Sequence, residues 1–220
     1  MILIITSLQP QVKNVNRISV YIDGEFSFGL FVDLAISLKK GQILSQEQVA
    51  DLVRQDVSLR LRASAFNYIS FRPRSKKEVS NYLRFRISKY EEHYQRWLGK
   101  EDLFNAIERT VDYLEERGYL NDQEFAKQWA SFRAQSRQPK SDYTIKQELR
   151  IKGVRDEDIA QALLDLGKTN QQRAVTLAQK VWPKYKKLSP VQAKKKLFDF
   201  LRRRGFGWDE IKEAYENFDG

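Results

Sequence analysis

The side chains of this chain that could do chemistry are cationic, and their chemistry would be the neutralisation of a polyanion. Residues 57–90 carry nine bases and one acid, and residues 168–204 carry twelve and one. Between them, residues 91–125 carry four bases and ten acids, and the whole chain is +10. Two strongly basic blocks separated by an acidic one point to a polyanion partner. In the first block the candidate contacts are Arg72, Arg74, Lys76, Lys77 and Arg84, with Arg86 beside them. Arg72 and Arg74 flank Pro73, and Lys76 and Lys77 open a helix, so backbone N–H groups can join them on a phosphate. A middle group comprises Arg133, Arg137, Lys140, Lys146, Arg150 and Lys152. The last comprises Lys194, Lys195, Lys196, Arg202, Arg203 and Arg204, near Lys184, Lys186 and Lys187. Bases spread over several helices, rather than gathered on one recognition helix, favour phosphate contact over sequence readout.

Other chemistries lack their residues. There is no cysteine, hence no disulfide or thiolate metal site. The one histidine, His93, sits among Glu91, Glu92 and Arg96 and is expected on a solvated helix face. Glu115-Glu116 and Asp156-Glu157-Asp158 are expected as helix-face and first-turn dipole partners. With no Gly-rich phosphate loop, metal-ligand cluster or nucleophile–base pair, the expectation is a protein without catalysis, metal or cofactor. The start, MILIITSLQP, has only four consecutive apolar residues after Met1 and no basic lead, too short for a signal peptide or span. A soluble, cytoplasmic protein is expected.

The elements that must position these bases are mostly helices. Three segments share one punctuation: Leu114-x-x-Arg117-Gly118-Tyr119, Leu149-x-x-Lys152-Gly153-Val154 and Leu201-x-x-Arg204-Gly205-Phe206. Glycine at C′ permits the left-handed conformation of a Schellman ending, with the next residue at C″ packing back on the leucine at C3. An acid follows three residues later each time (Asp122, Glu157, Asp209), in the first turn of the next helix. Serines 75, 141 and 189 each open a helix with leucine eight residues on: Leu83, Leu149, Leu197. Ser75-x-x-Glu78 and Ser45-x-x-Gln48 are capping boxes, and Ser189-Pro190 is an N-cap followed by proline at N1.

Upstream, Ile2–Ile5 is an apolar run, and residues 17–22 and 25–30 alternate about the hairpin signal Asp23-Gly24. The fold class is therefore mainly α. Three tandem three-helix repeats form an elongated curved array, preceded by a small β-hairpin or sheet of two or three strands. The boundaries fall at 1–56 for the β-rich extension with short helices, and at 57–120, 121–167 and 168–220 for the repeats. One helix is expected to end near 56 and another to begin at 57. Val79, Tyr82, Leu83 and Phe85 should form one apolar face, and Leu103, Phe104, Ile107, Val111 and Leu114 another. No glycine follows the second helix of the first repeat, and residues 88–100 read as an insertion. Trp129, Trp182 and Trp208 lie at helical spacings and belong mostly to the core.

Four segments carry a family resemblance. They are Ala65-x-x-Tyr68-Ile69-Ser70-x-Arg72-x-Arg74-Ser75-x-x-Glu78-Val79, then Gly118-Tyr119-Leu120-Asn121-Asp122-x-x-Phe125-Ala126, then Ile145-x-x-Glu148-Leu149-x-x-Lys152-Gly153-Val154, and Phe200-Leu201-x-x-Arg204-Gly205-Phe206. In this order, over about 60–218, the chain resembles the RecX regulatory proteins, modulators of the RecA recombinase. The resemblance implies three three-helix repeats, no cofactor and no catalysis. It implies binding in the groove of the RecA–single-stranded-DNA filament, limiting its growth and damping ATP hydrolysis and strand exchange. The expected partners are that filament and single- or double-stranded DNA, met by a monomer with no membrane involved. The acidic block at 91–125 would then face a basic patch on a protein partner. The rival expectation is a stand-alone, sequence-nonspecific nucleic-acid-binding protein.

Overall fold

The computed structural model describes residues 2–89 and 94–218. Three antiparallel strands come first: β1 (Leu3–Gln11), β2 (Asn14–Ile22) and β3 (Glu25–Phe31). Asp23 and Gly24, at φ 51° and 89°, close the β2–β3 hairpin as the dipeptide predicted. Positive φ at both residues matches the twist of a two-residue hairpin. A fourth strand, β4 (Ile43–Leu44), adds to β1 and gives the order β3-β2-β1-β4. Two residues are too few for alternation to show, which is why two or three strands were expected where the described residues form four. Leu3, Ile5, Val20, Ile22, Phe28, Leu30 and Leu44 are buried.

The helices α1 (Val32–Ala35) and α2 (Gln46–Ser70) follow. No break occurs at 56–57: α2 is one helix of 25 residues, opened by the Ser45–Gln48 capping box. Its buried apolar residues Val49, Val53, Val57, Leu61 and Ala65 recur every four. That spacing overshoots the helical repeat, so the stripe swings by about 160° from Val49 to Ala65. One rod thereby touches β3 as well as α3 (Lys76–Ser88) and α4 (Lys100–Glu116). The expected boundary at 56–57 therefore falls inside α2. Sheet and helices as far as Leu120 share one core. The expected insertion joins it: Tyr94 and Leu98 are buried, and Trp97 meets Phe28 edge-on, ring centroids 6.1 Å apart. His93, Glu91 and Glu92 lie outside the described residues. Phe85 and Phe104 are exposed, contrary to their expected place, and Ile87, Ala106 and Thr110 are buried instead.

The chain divides into two compact units, Met1–Leu120 and Asn121–Gly220. The second holds α5 (Asp122–Gln135), α6 (Asp142–Ile151) and α7 (Asp156–Leu164), then α8 (Asn170–Tyr185), α9 (Pro190–Arg202) and α10 (Trp208–Glu216). Each triplet has its own core, one around Ile145, Leu149 and Ile159, the other around Leu197, Leu201 and Ile211. Trp129 and Trp182 pack against these cores, whereas Trp208 is exposed.

The three helix endings adopt the predicted geometry. Gly118, Gly153 and Gly205 have φ of 75°, 81° and 84°. Their followers donate to the C3 carbonyls: Tyr119 to Leu114 (2.8 Å), Val154 to Leu149 (3.1 Å) and Phe206 to Leu201 (3.4 Å). Val154 and Phe206 are buried, but Tyr119 is half-exposed with its ring edge on Phe66, and Leu120 fills the core instead. Ser189 caps α9 without a side-chain hydrogen bond, whereas Ser75 and Ser141 accept from the first turns they open. The last ending is also a joint. The Arg204 carbonyl accepts from Ser141 N (3.1 Å) and Thr144 Oγ1 (3.0 Å), tying α9 to α6. Asn170 accepts from Asp142 N and donates to Glu210, and the buried Arg173 binds Asp142.

Candidate nucleic-acid interface

Folding divides the predicted bases into two groups. The first is held by the protein itself. Arg72 donates to both Glu78 oxygens (3.3 and 2.9 Å), and that bond raises its pKa further. The Arg74 guanidinium lies 3.9 Å over the Tyr68 ring, which stacks on Tyr82 at 4.0 Å. Lys76 pairs with Glu115 (2.5 Å), and Arg84 with Glu108 (3.7 Å). The first basic block is thus partly neutralised by the acidic block, because α3 packs on α4. Arg150 pairs with Asp156, and Lys152 sits 4.2 Å over Trp129. Arg204 stacks on Phe200 at 3.6 Å and donates to Gln138, and burial, then Arg203, lowers its pKa.

Arg133 belongs to the same group. It makes a fork with Glu148, which also accepts from Trp129 Nε1 (2.9 Å). Burial alone would raise the Glu148 carboxyl, but the bonds from Arg133 and Trp129, with the charges of Arg133 and Lys140, outweigh it and hold it below the ordinary 4.5. A depressed carboxylate stabilises the fold above its unfolded pKa, and that contribution disappears as pH falls through the folded value. Glu148→Gln is therefore expected to lower stability at pH 7 by about 1–2 kcal/mol, with the deficit shrinking below pH ~4. Melts of both proteins across the acid range check this; parallel curves would refute it.

The second group is exposed, apart from the half-buried Lys140 and Lys146. Lys77, Arg137, Lys140, Lys146, Lys195, Lys196, Arg202 and Arg203 have no side-chain hydrogen bond or ion pair among the described residues. On α9, Ala193, Leu197 and Leu201 are buried, so the intervening positions point outward. Lys195 and Arg202 are seven residues apart, as are Lys196 and Arg203, and two helical turns return each pair to one azimuth. The only acid in this stretch, Asp199, lies between them. Lys194 is drawn toward the Tyr215 ring, 5.0 Å away. The result is a cationic ridge about 10 Å long, open to solvent.

Sequence reasoning missed two buried cations. Arg17 meets Asp56 inside the first unit, and Arg173 meets Asp142 inside the second. Arg173 lies four residues before Leu177, on the apolar stripe of α8, and a base at that spacing was the available signal. The carboxylate runs are structural: Glu115, Asp156 and Asp158 pair with Lys76, Arg150 and Arg155. No group of three potential metal ligands occurs among the described residues, and no helix there is long and apolar enough to cross a membrane.

Known proteins resemble this chain throughout. Three family models match: the Regulatory protein RecX N-terminal domain over residues 3–45, the second three-helix domain of RecX over 121–163 and the third over 169–215. The regulatory protein RecX of Bacillus licheniformis is 31% identical over 98% of this chain and 80% of its own length. Those of Bacillus pumilus and Bacillus subtilis are each 30% identical over 98% of this chain, and over 78% and 77% of their own lengths. A crystal structure of regulatory protein RecX shares the fold at a TM-score of 0.61 and 22% identity, covering 99% of this chain and 98% of the other. RecX from Lactobacillus salivarius does so at 0.57 and 23%, covering 75% and 98%. A sheet-led, mainly helical chain that matches these models and relatives along nearly its whole length belongs to the RecX family of regulatory proteins.

Proposed function

We propose that this protein binds the RecA filament on single-stranded DNA, limits its growth and damps ATP hydrolysis and strand exchange, so modulating recombination and repair. It acts as a stoichiometric binder without catalysis or cofactor, as a soluble cytoplasmic monomer. The observation that carries this reading is the α9 ridge, where Lys195, Lys196, Arg202 and Arg203 stand in solvent without acidic partners. Cations held this way offer charge to DNA phosphates and to acidic protein surface alike. The remaining candidate bases, Arg72 to Arg84 and Arg133 to Lys152, supply secondary contacts where their internal partners leave donors over. The helix triplets α2–α4, α5–α7 and α8–α10 would each offer contacts to the filament.

The test is a titration into the host RecA, preassembled on single-stranded DNA with ATP, following hydrolysis, with bare DNA binding measured in parallel. Inhibition well below the concentrations that coat bare DNA supports the reading. Inhibition only where the protein competes for DNA would replace it with a stand-alone nucleic-acid binder. Reversing Lys194, Lys195 and Lys196 to glutamate should weaken filament binding and reduce its salt slope by about two, since each lost contact removes about 0.7. Lys194 should contribute least, because it already lies over Tyr215. Coincident salt titrations would show that the three lysines are only a solvated face.

A further inference from the structure

Between α5 and α8, within the second unit, lies a cleft of about 310 Å³. Its charged lining is cationic throughout: Arg137, Lys168, Arg173 and Lys180, with no acid. Arg173 is buried and committed below the floor, donating to the Lys168 carbonyl (2.6 Å) and to Asp142, while its buried Nε has no partner among the described residues. Asp142 offsets one charge and leaves three. Arg137 and Lys168 are exposed and without side-chain partners among the described residues, and Lys180 is moored at the rim by a 3.3 Å bond to the Arg137 carbonyl. Concentrating like charges around a concavity is unfavourable unless an anion enters it. Leu166, Leu177, Pro139 and Ala134 make the other walls apolar, and Thr176 and Ser136 add hydroxyls. The volume is at the small end for organic ligands, too small for a helix.

We propose that this cleft binds one nucleoside-phosphate unit. The phosphate rests on Arg137, Lys168 and Lys180, and the sugar and base lie against Leu166 and Pro139. A strand running along the second unit or a free nucleotide presents the same chemistry. The proposal does not depend on filament binding, since the cleft lies wholly within this chain.

The test uses the full chain without recombinase. Thymidine monophosphate and a short oligothymidylate are each titrated while the methyl resonances of Leu166 and Leu177 are followed. Shifts with the mononucleotide identify a free-nucleotide site, and shifts with the oligomer alone identify a strand site; either supports the proposal. Arg137→Glu and Lys180→Glu should each cost about tenfold in affinity, well beyond the exposed, charge-matched control Lys13→Glu in the first unit. All three substitutions are at exposed positions, so folding is expected to persist, and melts check it. Silent methyls with both probes, or equal losses for all three variants, would overturn the proposal.

Discussion

Asp56→Ala should destabilise the first unit by about 3–5 kcal/mol, a large share of the ~5–15 kcal/mol typical of a domain. Asp56 is buried on α2, and its carboxylate has four donors. Oδ1 accepts from Arg17 Nη1 (3.1 Å) and Phe31 N (2.8 Å), and Oδ2 from Arg17 Nη2 (2.9 Å) and Arg60 Nε (2.9 Å). Arg17 comes from β2 and is itself 5% exposed. It also donates to the Gly29 carbonyl at 2.7 Å and lies 4.8 Å over Phe31. Truncating Asp56 leaves that guanidinium buried without its counterion and the Phe31 N–H without an acceptor. The pair itself need not be a net gain, because desolvating two ions offsets much of their attraction. Arg17→Met with Asp56→Leu should therefore recover most of the loss. Denaturant melts decide it. A single mutant within about 1 kcal/mol of wild type, or a double mutant no better than the single, would refute the account.

Gly205→Ala should be nearly as damaging, at roughly 3–5 kcal/mol, while Gly118→Ala should cost only about 1–2 kcal/mol. Both glycines end helices at positive φ, 84° and 75°. The left-handed backbone alone disfavours alanine by about 1–2 kcal/mol at either site. Their surroundings differ. A Cβ on Gly118 meets nothing within 4 Å. On Gly205 it would collide with Thr144 Oγ1 and come within 2.5 Å of Ser141 Oγ. Those hydroxyls are fixed, Thr144 Oγ1 by the Arg204 carbonyl and Ser141 Oγ by the first turn of α6. The helices must separate to admit the methyl, and the joint between α6 and α9 opens with them. Equal melting shifts for the two variants would show that only backbone conformation matters at Gly205. A larger loss at Gly205, with nucleotide affinity falling alongside, would tie the cleft to the joint.

Helix endings and starts were legible in the sequence because a few adjacent residues encode them. Gly118, Gly153 and Gly205 supply the left-handed conformation, and Ser45, Ser75 and Ser141 supply caps, whatever lies across the chain. The Asp23-Gly24 hairpin was legible for the same reason. The reading failed where a pattern served two partners. The four-residue spacing along α2 turns its apolar face from sheet to helices, so one rod of 25 residues crosses the boundary expected at 56–57.

By itself, the sequence determined the helical character, the caps and the presence of two strongly basic blocks, since local propensity and composition survive in any fold. Only the tertiary structure decided which cations remain available. Arg17 finds Asp56 39 residues away and Arg173 finds Asp142 31 residues away. Lys76 and Arg84 reach acids of the opposite block because α3 packs on α4. Coulomb attraction acts on distance in space and not on distance along the chain. The ridge on α9 and the cleft beside Arg173 therefore take shape only once the helices have chosen their neighbours.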